Sequence, residues 1–346
     1  MEQSPGVLED VLDVAAPVPT ARLTELSNLD REPAERVVQA LNEVSFERRR
    51  DVLKNMLEIA EESIELNFDA IFRRCLGDED GEVRQVAIEG LWENEERSLI
   101  GPLITMFRED EEETVRAAAA QSLSRFALLA ELGKLLDRDA EMVKRNLLDL
   151  IEGEDELSDE VRRRAIESIA PINEPQVRSV ILETYETASE RLRTAAVYAM
   201  GQNGDPVWVP YVLEELEADE PELRYEAVGA AGRIGDESLL PPLARMVNDD
   251  DTEVQGAVVA AIAAIGGPVA ARVLMRLTEH GDDNVRELAL DAIESLQAFE
   301  TPGLDILRNP RTQGVMDEPE DGTNFDLDDL ESYLEEREEE EADNVT

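Results

Sequence analysis

Pro221-Glu-Leu-Arg-Tyr-Glu-Ala-Val-Gly-Ala-Ala-Gly-Arg-Ile-Gly235 holds the pattern on which the whole chain is built. An apolar residue is followed at once by Arg. An Ala comes three residues after the Arg, then further apolar residues at helical spacing, and a Gly closes the stretch. With the apolar residue before the Arg as position zero, the framework recurs at Val83, Val115, Val161, Leu192, Leu223, Val254 and Val285. The sequence numbers of the last five rise by 31 each time and those of the first two by 32, and a weaker copy at Val52 stands 31 before Val83. A fixed period of this length marks a stacked-repeat architecture.

Within each copy, offsets 0, 4, 5 and 8 are apolar and share one face at 3.6 residues per turn. Offset four is small (Ala87, Ala119, Ala165, Ala196, Ala227, Val258, Ala289), so a neighbouring helix can approach closely. Offset five is Ile88, Ala120, Ile166, Val197, Val228, Val259 and Leu290. The second half of each unit therefore reads as a helix with one buried stripe. The first half is helical too, as in Leu239-Leu-Pro-Pro-Leu-Ala-Arg-Met-Val247, with Pro102, Pro210 and Pro241 near its start. Proline fits a first turn because its missing N–H would have no partner there. Gly204, Gly235 and Gly266 stand twelve after position zero, where the helix must stop and the chain reverse. The acidic turn inside each unit, such as Asn248-Asp-Asp-Asp-Thr-Glu253, supplies helix caps.

These residues resemble the HEAT repeat family, particularly the short HEAT-like units also found in phycobilisome lyases. The resemblance covers roughly residues 65–298 and implies an all-α, right-handed α-solenoid (superhelix) of about eight helix pairs. The domain organisation expected is a flexible segment over 1–19, with room for a short helix at Val7 to Val14, a solenoid over 20–300 and an acidic, disordered tail over 301–346. Within the solenoid, 20–64 are divergent capping helices, as an end unit facing solvent requires. The spacing of 46 between Val115 and Val161 is 31 plus 15. It places an irregular, inserted unit at 126–160, expected as a lengthened helix plus an irregular pair.

The formal net charge is −49. Residues 315–346 hold fifteen Asp or Glu against one Arg, so they carry −14, and −35 is spread over the rest. Lys54, Lys134 and Lys144 are the only lysines. Such a composition resembles that of proteins from salt-loving archaea. Acidity on this scale argues against broad nucleic-acid binding, which neutralises phosphates with Lys and Arg. No apolar run reaches the ~18–20 residues of a membrane span. The opening Met-Glu-Gln-Ser-Pro-Gly is neither basic nor followed by a signal-peptide core, so the expected location is cytoplasmic.

Chemistry-bearing residues are few. The single histidine, His280, sits at a first-helix end, where a cation would complement the dipole. The single cysteine, Cys75, lies among apolar residues and reads as a buried thiol, and it excludes an intramolecular disulfide. No catalytic, cofactor or metal site is expected. The repeated Arg at offset one (Arg84, Arg116, Arg162, Arg193, Arg224 and Arg286) reads as a structural ladder bonding Asp, Glu or carbonyls of adjacent turns. Gln255 interrupts it.

In HEAT-like arrays the second helices usually line the concave side, so the exposed offsets two and six are the candidate binding face. At the ends they are polar or charged. In the middle they are uncharged and partly aromatic: Thr194, Tyr198, Tyr225, Gly229, Gly256 and Ala260. This band is the expected partner site, unless neighbouring second helices bury it. Inside the tail, Leu327, Leu330 and Leu334 space like one face of a short helix, with Phe325 and Tyr333 near its edges, and together they form a candidate docking motif. The function expected is a non-catalytic scaffold for a protein or peptide, adapted to high salt, whose own C-terminal tail is a further candidate partner. The alternative is a phycobilisome-lyase-like protein presenting a prosthetic group to an acceptor.

Overall fold

A computed structural model describes residues 6–153, 157–187 and 189–298. The tail residues Phe325, Leu327, Leu330, Tyr333 and Leu334, and the tail boundary at 301, lie outside the described residues. Among those described, the regular structure is entirely helical. The chain divides into two compact units, Met1–Val180 and Ile181–Thr346.

The first unit opens with α1 (Val7–Leu12) and α2 (Thr20–Leu23), followed by α3 (Arg31–Leu41) and α4 (Phe46–Glu62). Helix pairs then follow: α5 (Asp69–Cys75) with α6 (Gly81–Glu89), α7 (Ile100–Glu109) with α8 (Glu113–Glu131), and α9 (Asp137–Ile151) with α10 (Asp159–Ile169). The second helices α4, α6, α8 and α10 pack side by side in that order. Helix α11 (Pro175–Thr187) carries the chain from the first unit into the second.

The second unit continues with α12 (Glu190–Asn203), α13 (Val209–Glu215), α14 (Pro221–Ile234), α15 (Leu240–Arg245), α16 (Thr252–Ile265), α17 (Gly267–Leu277) and α18 (Asp283–Ala298). Here α12, α14, α16 and α18 form the row of second helices. Their stripes make the core: Val197, Val228, Val259 and Ile262 are all at most 2% exposed. Helices α12 and α14 end at Gly204 and Gly235, with φ of 67° and 73°. That left-handed turn costs glycine nothing and lets the chain reverse.

The acidic turns cap as well as solubilise. Asp80 accepts from the Val83 amide at the start of α6, and Asp251 accepts from the Glu253 and Val254 amides at the start of α16. Each such cap contributes about 1 kcal/mol.

The N-terminal segment carries a short helix, α1, inside the stretch Val7 to Val14 where the sequence allows one, and its Val7 and Val11 are 1% exposed. The Arg48 side chain on α4 donates to the carbonyls of Val11 (2.9 Å from Nε) and Ala16 (2.9 Å from Nη1), tying this segment to the first unit. The extra stretch between Val115 and Val161 gives the lengthened helix expected, α8 of 19 residues, but not the irregular pair: it lengthens α9 to 15, and α9 with α10 packs on α8 as an ordinary pair.

Candidate functional site

The repeated Arg side chains occupy the turns between helices. Arg224 on α14 makes a two-pronged bond to Asp249, 2.8 Å on each prong, and its third nitrogen donates to the carbonyls of Ala218 (2.8 Å) and Asp219 (3.0 Å). Arg84 on α6 repeats the arrangement with Asp110 (2.8 and 2.6 Å) and the carbonyls of Asp78 and Glu79. The flat guanidinium fork makes four bonds possible where an ammonium would make fewer. Arg224's hydrogen bond holds the Asp249 carboxyl below the usual carboxylate range, against the opposing effect of burial.

The other copies vary. Arg193 and Tyr185 both bond Glu215, a carboxylate only 2% exposed. Burial first, and the bond to Glu215 second, push the Tyr185 phenol up to about 12. Arg116 donates to the Phe107 carbonyl and Arg162 to the Ile151 carbonyl. Arg286 donates to the carbonyls of His280 and Gly281 and pairs with Asp283. Gln255 keeps the equivalent carbonyl bond, to Asp249, at 2.6 Å.

Arg224 and Asp249 are separated by 25 in sequence. The same step taken from Gln255 arrives at His280. So where the Arg is missing, the matching Asp is missing too. His280 Nδ1 accepts from the Asp282 amide (3.2 Å), which puts the ring proton on Nε2, 3.1 Å from Asn248 Oδ1. The ring thus bridges two turns, through Asn248 and the Asp282 amide.

The candidate binding band runs across α12, α14 and α16. Neighbouring second helices do not bury it. Tyr225 is 45% exposed, Ala260 is exposed, and Thr194, Tyr198, Gly229 and Gly256 are half-buried. The closest helix contacts lie one step away, through Gly201 against Ala230 and Gly232 against Ala261.

The band is not free of charge, however. Arg233, which sequence reasoning passed over, lays its guanidinium 5.0 Å above the Tyr198 ring and 3.9 Å from a Glu226 oxygen. A Cβ on Gly229 would meet the Arg233 tip at 3.4 Å and one on Gly201 would meet its Nε at 2.8 Å, so both glycines make room for it. The sequence signal was there: Arg233 stands ten after Leu223, as Arg125 stands ten after Val115.

In the first unit the Arg125 copy borders a groove of about 390 Å³ on the α6 and α8 rows. Its lining includes Glu61, Glu89, Trp92, Gln121 and Ser122. Trp92 is 61% exposed. Arg125 donates to the Asn94 carbonyl (2.9 Å) and to Ser122, and burial pushes its guanidinium down to about 10, still protonated at neutral pH. Cys75 is buried, and burial pushes its thiol up to about 12. Among the described residues, no group of three His, Cys, Asp or Glu side chains is placed to hold a metal ion. None of the described helices is long and apolar enough to cross a membrane.

Solved structures similar to the chain are repeat proteins. The Escherichia coli protein YibA is 18% identical with a TM-score of 0.43, over 68% of this chain and 96% of its own. Kap95, in the Kap95:Nup1 complex, is 15% identical with a TM-score of 0.47, over 87% of this chain and 47% of its own. A designed armadillo repeat protein, solved with the peptide (KR)4, is 21% identical with a TM-score of 0.38, over 57% of this chain and 99% of its own. A comparison with curated proteins found no match. The HEAT repeat profile matches residues 68–152, 145–214 and 209–294, about two-thirds of the sequence. By this match the chain, an all-α solenoid of helix pairs, belongs to the HEAT repeat family.

Proposed function

We propose that this HEAT-repeat protein is a non-catalytic scaffold that holds a segment of a partner protein across α12, α14 and α16. One observation carries the reading. In a chain of net charge −49, the row Thr194, Tyr198, Tyr225, Gly229, Gly256 and Ala260 contains no carboxylate and is not buried. Small residues give a backbone room to lie flat. Tyr supplies area and a hydroxyl at low entropic cost. Arg233, braced by Tyr198 and Glu226, offers guanidinium donors for a carbonyl or carboxylate of the segment. The remaining acidity serves hydration and solubility in a salty cytoplasm, and it disfavours a nucleic-acid partner.

The prosthetic-group reading gains no specific support: Cys75 is buried and His280 is engaged between two turns.

The test is photo-crosslinking in native lysate at molar salt, with the reactive residue at the exposed band position 260 or, as control, at the exposed first-helix position 214. A partner captured from 260 and not from 214, and lost in the Tyr198→Ala/Tyr225→Ala double variant, supports the band. Equal capture from both positions, or capture that survives the double variant with an unchanged melting temperature, refutes it.

A further inference from the structure

Among the described residues of the second unit, the last repeat is uncovered where the earlier ones are covered. Offset five shows this most clearly. In the second unit, Val197, Val228 and Val259 are each at most 2% exposed, because the next helix pair lies over them. Leu290, the same position in α18, is 56% exposed. The first helix agrees. Met275 on α17 is 44% exposed, while Ala244, its counterpart one repeat earlier on α15, is 3% exposed. The two last helices thus present Met275 and Leu290 on one end face, although a solenoid ordinarily ends in a unit with a polar outer surface. Covering these two half-exposed side chains would favour an apolar occupant.

The chain itself supplies an occupant. It runs on beyond Ala298 as far as Thr346. Within that stretch, Leu327, Leu330 and Leu334 space like the apolar face of a short helix. We propose that residues 325–334 dock on the α17–α18 end face and close the array, with Leu327, Leu330 and Leu334 over Leu290 and Met275.

Reach is sufficient: residues 299–324 form the connection, and a flexible chain of that length has an end-to-end distance of roughly 30 Å. Such a tether corresponds to a local concentration in the millimolar range, so a weak contact suffices. Charge sets the conditions. Asp326, Asp328, Asp329 and Glu331 meet Arg272 and Arg276, which flank Met275, but also the exposed Glu287, Asp291 and Glu294 of α18. The net repulsion is screened at molar salt, where the Debye length is about 3 Å. Docking is therefore a high-salt state.

Hydrogen exchange of the full chain tests this, read by mass spectrometry in molar KCl. The expected result is that the amides of 326–334 exchange at least ten-fold more slowly than in the isolated peptide. This slowing should be lost in both Leu330→Asp and Leu290→Asp. Leu330→Asp lies in the tail and cannot unfold the array, so protection of α12 to α16 must survive it.

The proposal is overturned by exchange of 326–334 at the free-peptide rate. It is equally overturned by slowing that persists in Leu290→Asp, by slowing confined to 299–308, or by slowing that disappears on dilution. The last would mean that a second copy covers the face.

Discussion

Two glycine substitutions in second helices of the same row should have opposite signs. A Cβ at Gly201 would lie 2.6 Å from the Ala230 Cα and 2.9 Å from its Cβ. Ordinary carbon–carbon contact begins near 3.5–4.0 Å, so Gly201→Ala forces α12 and α14 apart by about 1 Å along their contact. The obstacle is helix backbone and cannot turn aside as a side-chain tip would. Overpacking of this kind costs about 1–3 kcal/mol. The substitution also removes a helical glycine, worth up to ~1 kcal/mol in the other direction, which leaves a net loss of about 1–2 kcal/mol.

Gly256 on α16 is the counterpart. A Cβ there meets only the Leu288 Cδ1 at 3.8 Å, an ordinary contact. Gly256→Ala therefore keeps the propensity gain and should stabilise by ~0.5–1 kcal/mol. Paired urea melts of the two variants in molar salt measure both against the parent. Stabilisation by Gly201→Ala would refute the close approach of α12 and α14, and destabilisation by Gly256→Ala would refute the open surface at α16.

Asp249→Asn should cost about 1–3 kcal/mol at pH 7, since it leaves the Arg224 fork without its charged acceptor. The Asp249 carboxyl titrates below its unfolded value, so its contribution is present above the usual carboxylate range and lost as pH falls through the lowered one. The difference between variant and parent in denaturant melts should shrink toward pH 3. The Gln255→Arg/His280→Asp pair restores the arrangement seen at Arg224 and Asp249. It should stabilise by about 1 kcal/mol with positive coupling in a double-mutant cycle, and additive effects would show that the two positions do not meet. The Cys75 thiol should resist alkylation in the folded protein at pH 8 and react in step with global unfolding, since it is buried and its ionisation is pushed up to about 12; fast labelling of the native protein would contradict this.

The sequence by itself determined the helix pairs, their order and their core. Each repeat meets the same neighbours, so burial writes the same stripe once per repeat, and the Pro and Gly that start and stop helices recur in phase with it. The turns of the Arg ladder were legible for the same reason.

What the tertiary structure decided lies between repeats or outside the period. Whether the extra stretch after Val115 becomes a new pair or longer helices depends on how α8 and α9 pack, which no local pattern encodes. The order of residues 7–16 rests on Arg48, whose bond to Val11 spans 37 residues. The cation in the binding band depends on Arg233 crossing from α14 to Tyr198 on α12, over glycines on both helices. A long, flexible side chain has no intrinsic place to lie; only the neighbouring helix provides one, so its position follows from packing and not from spacing.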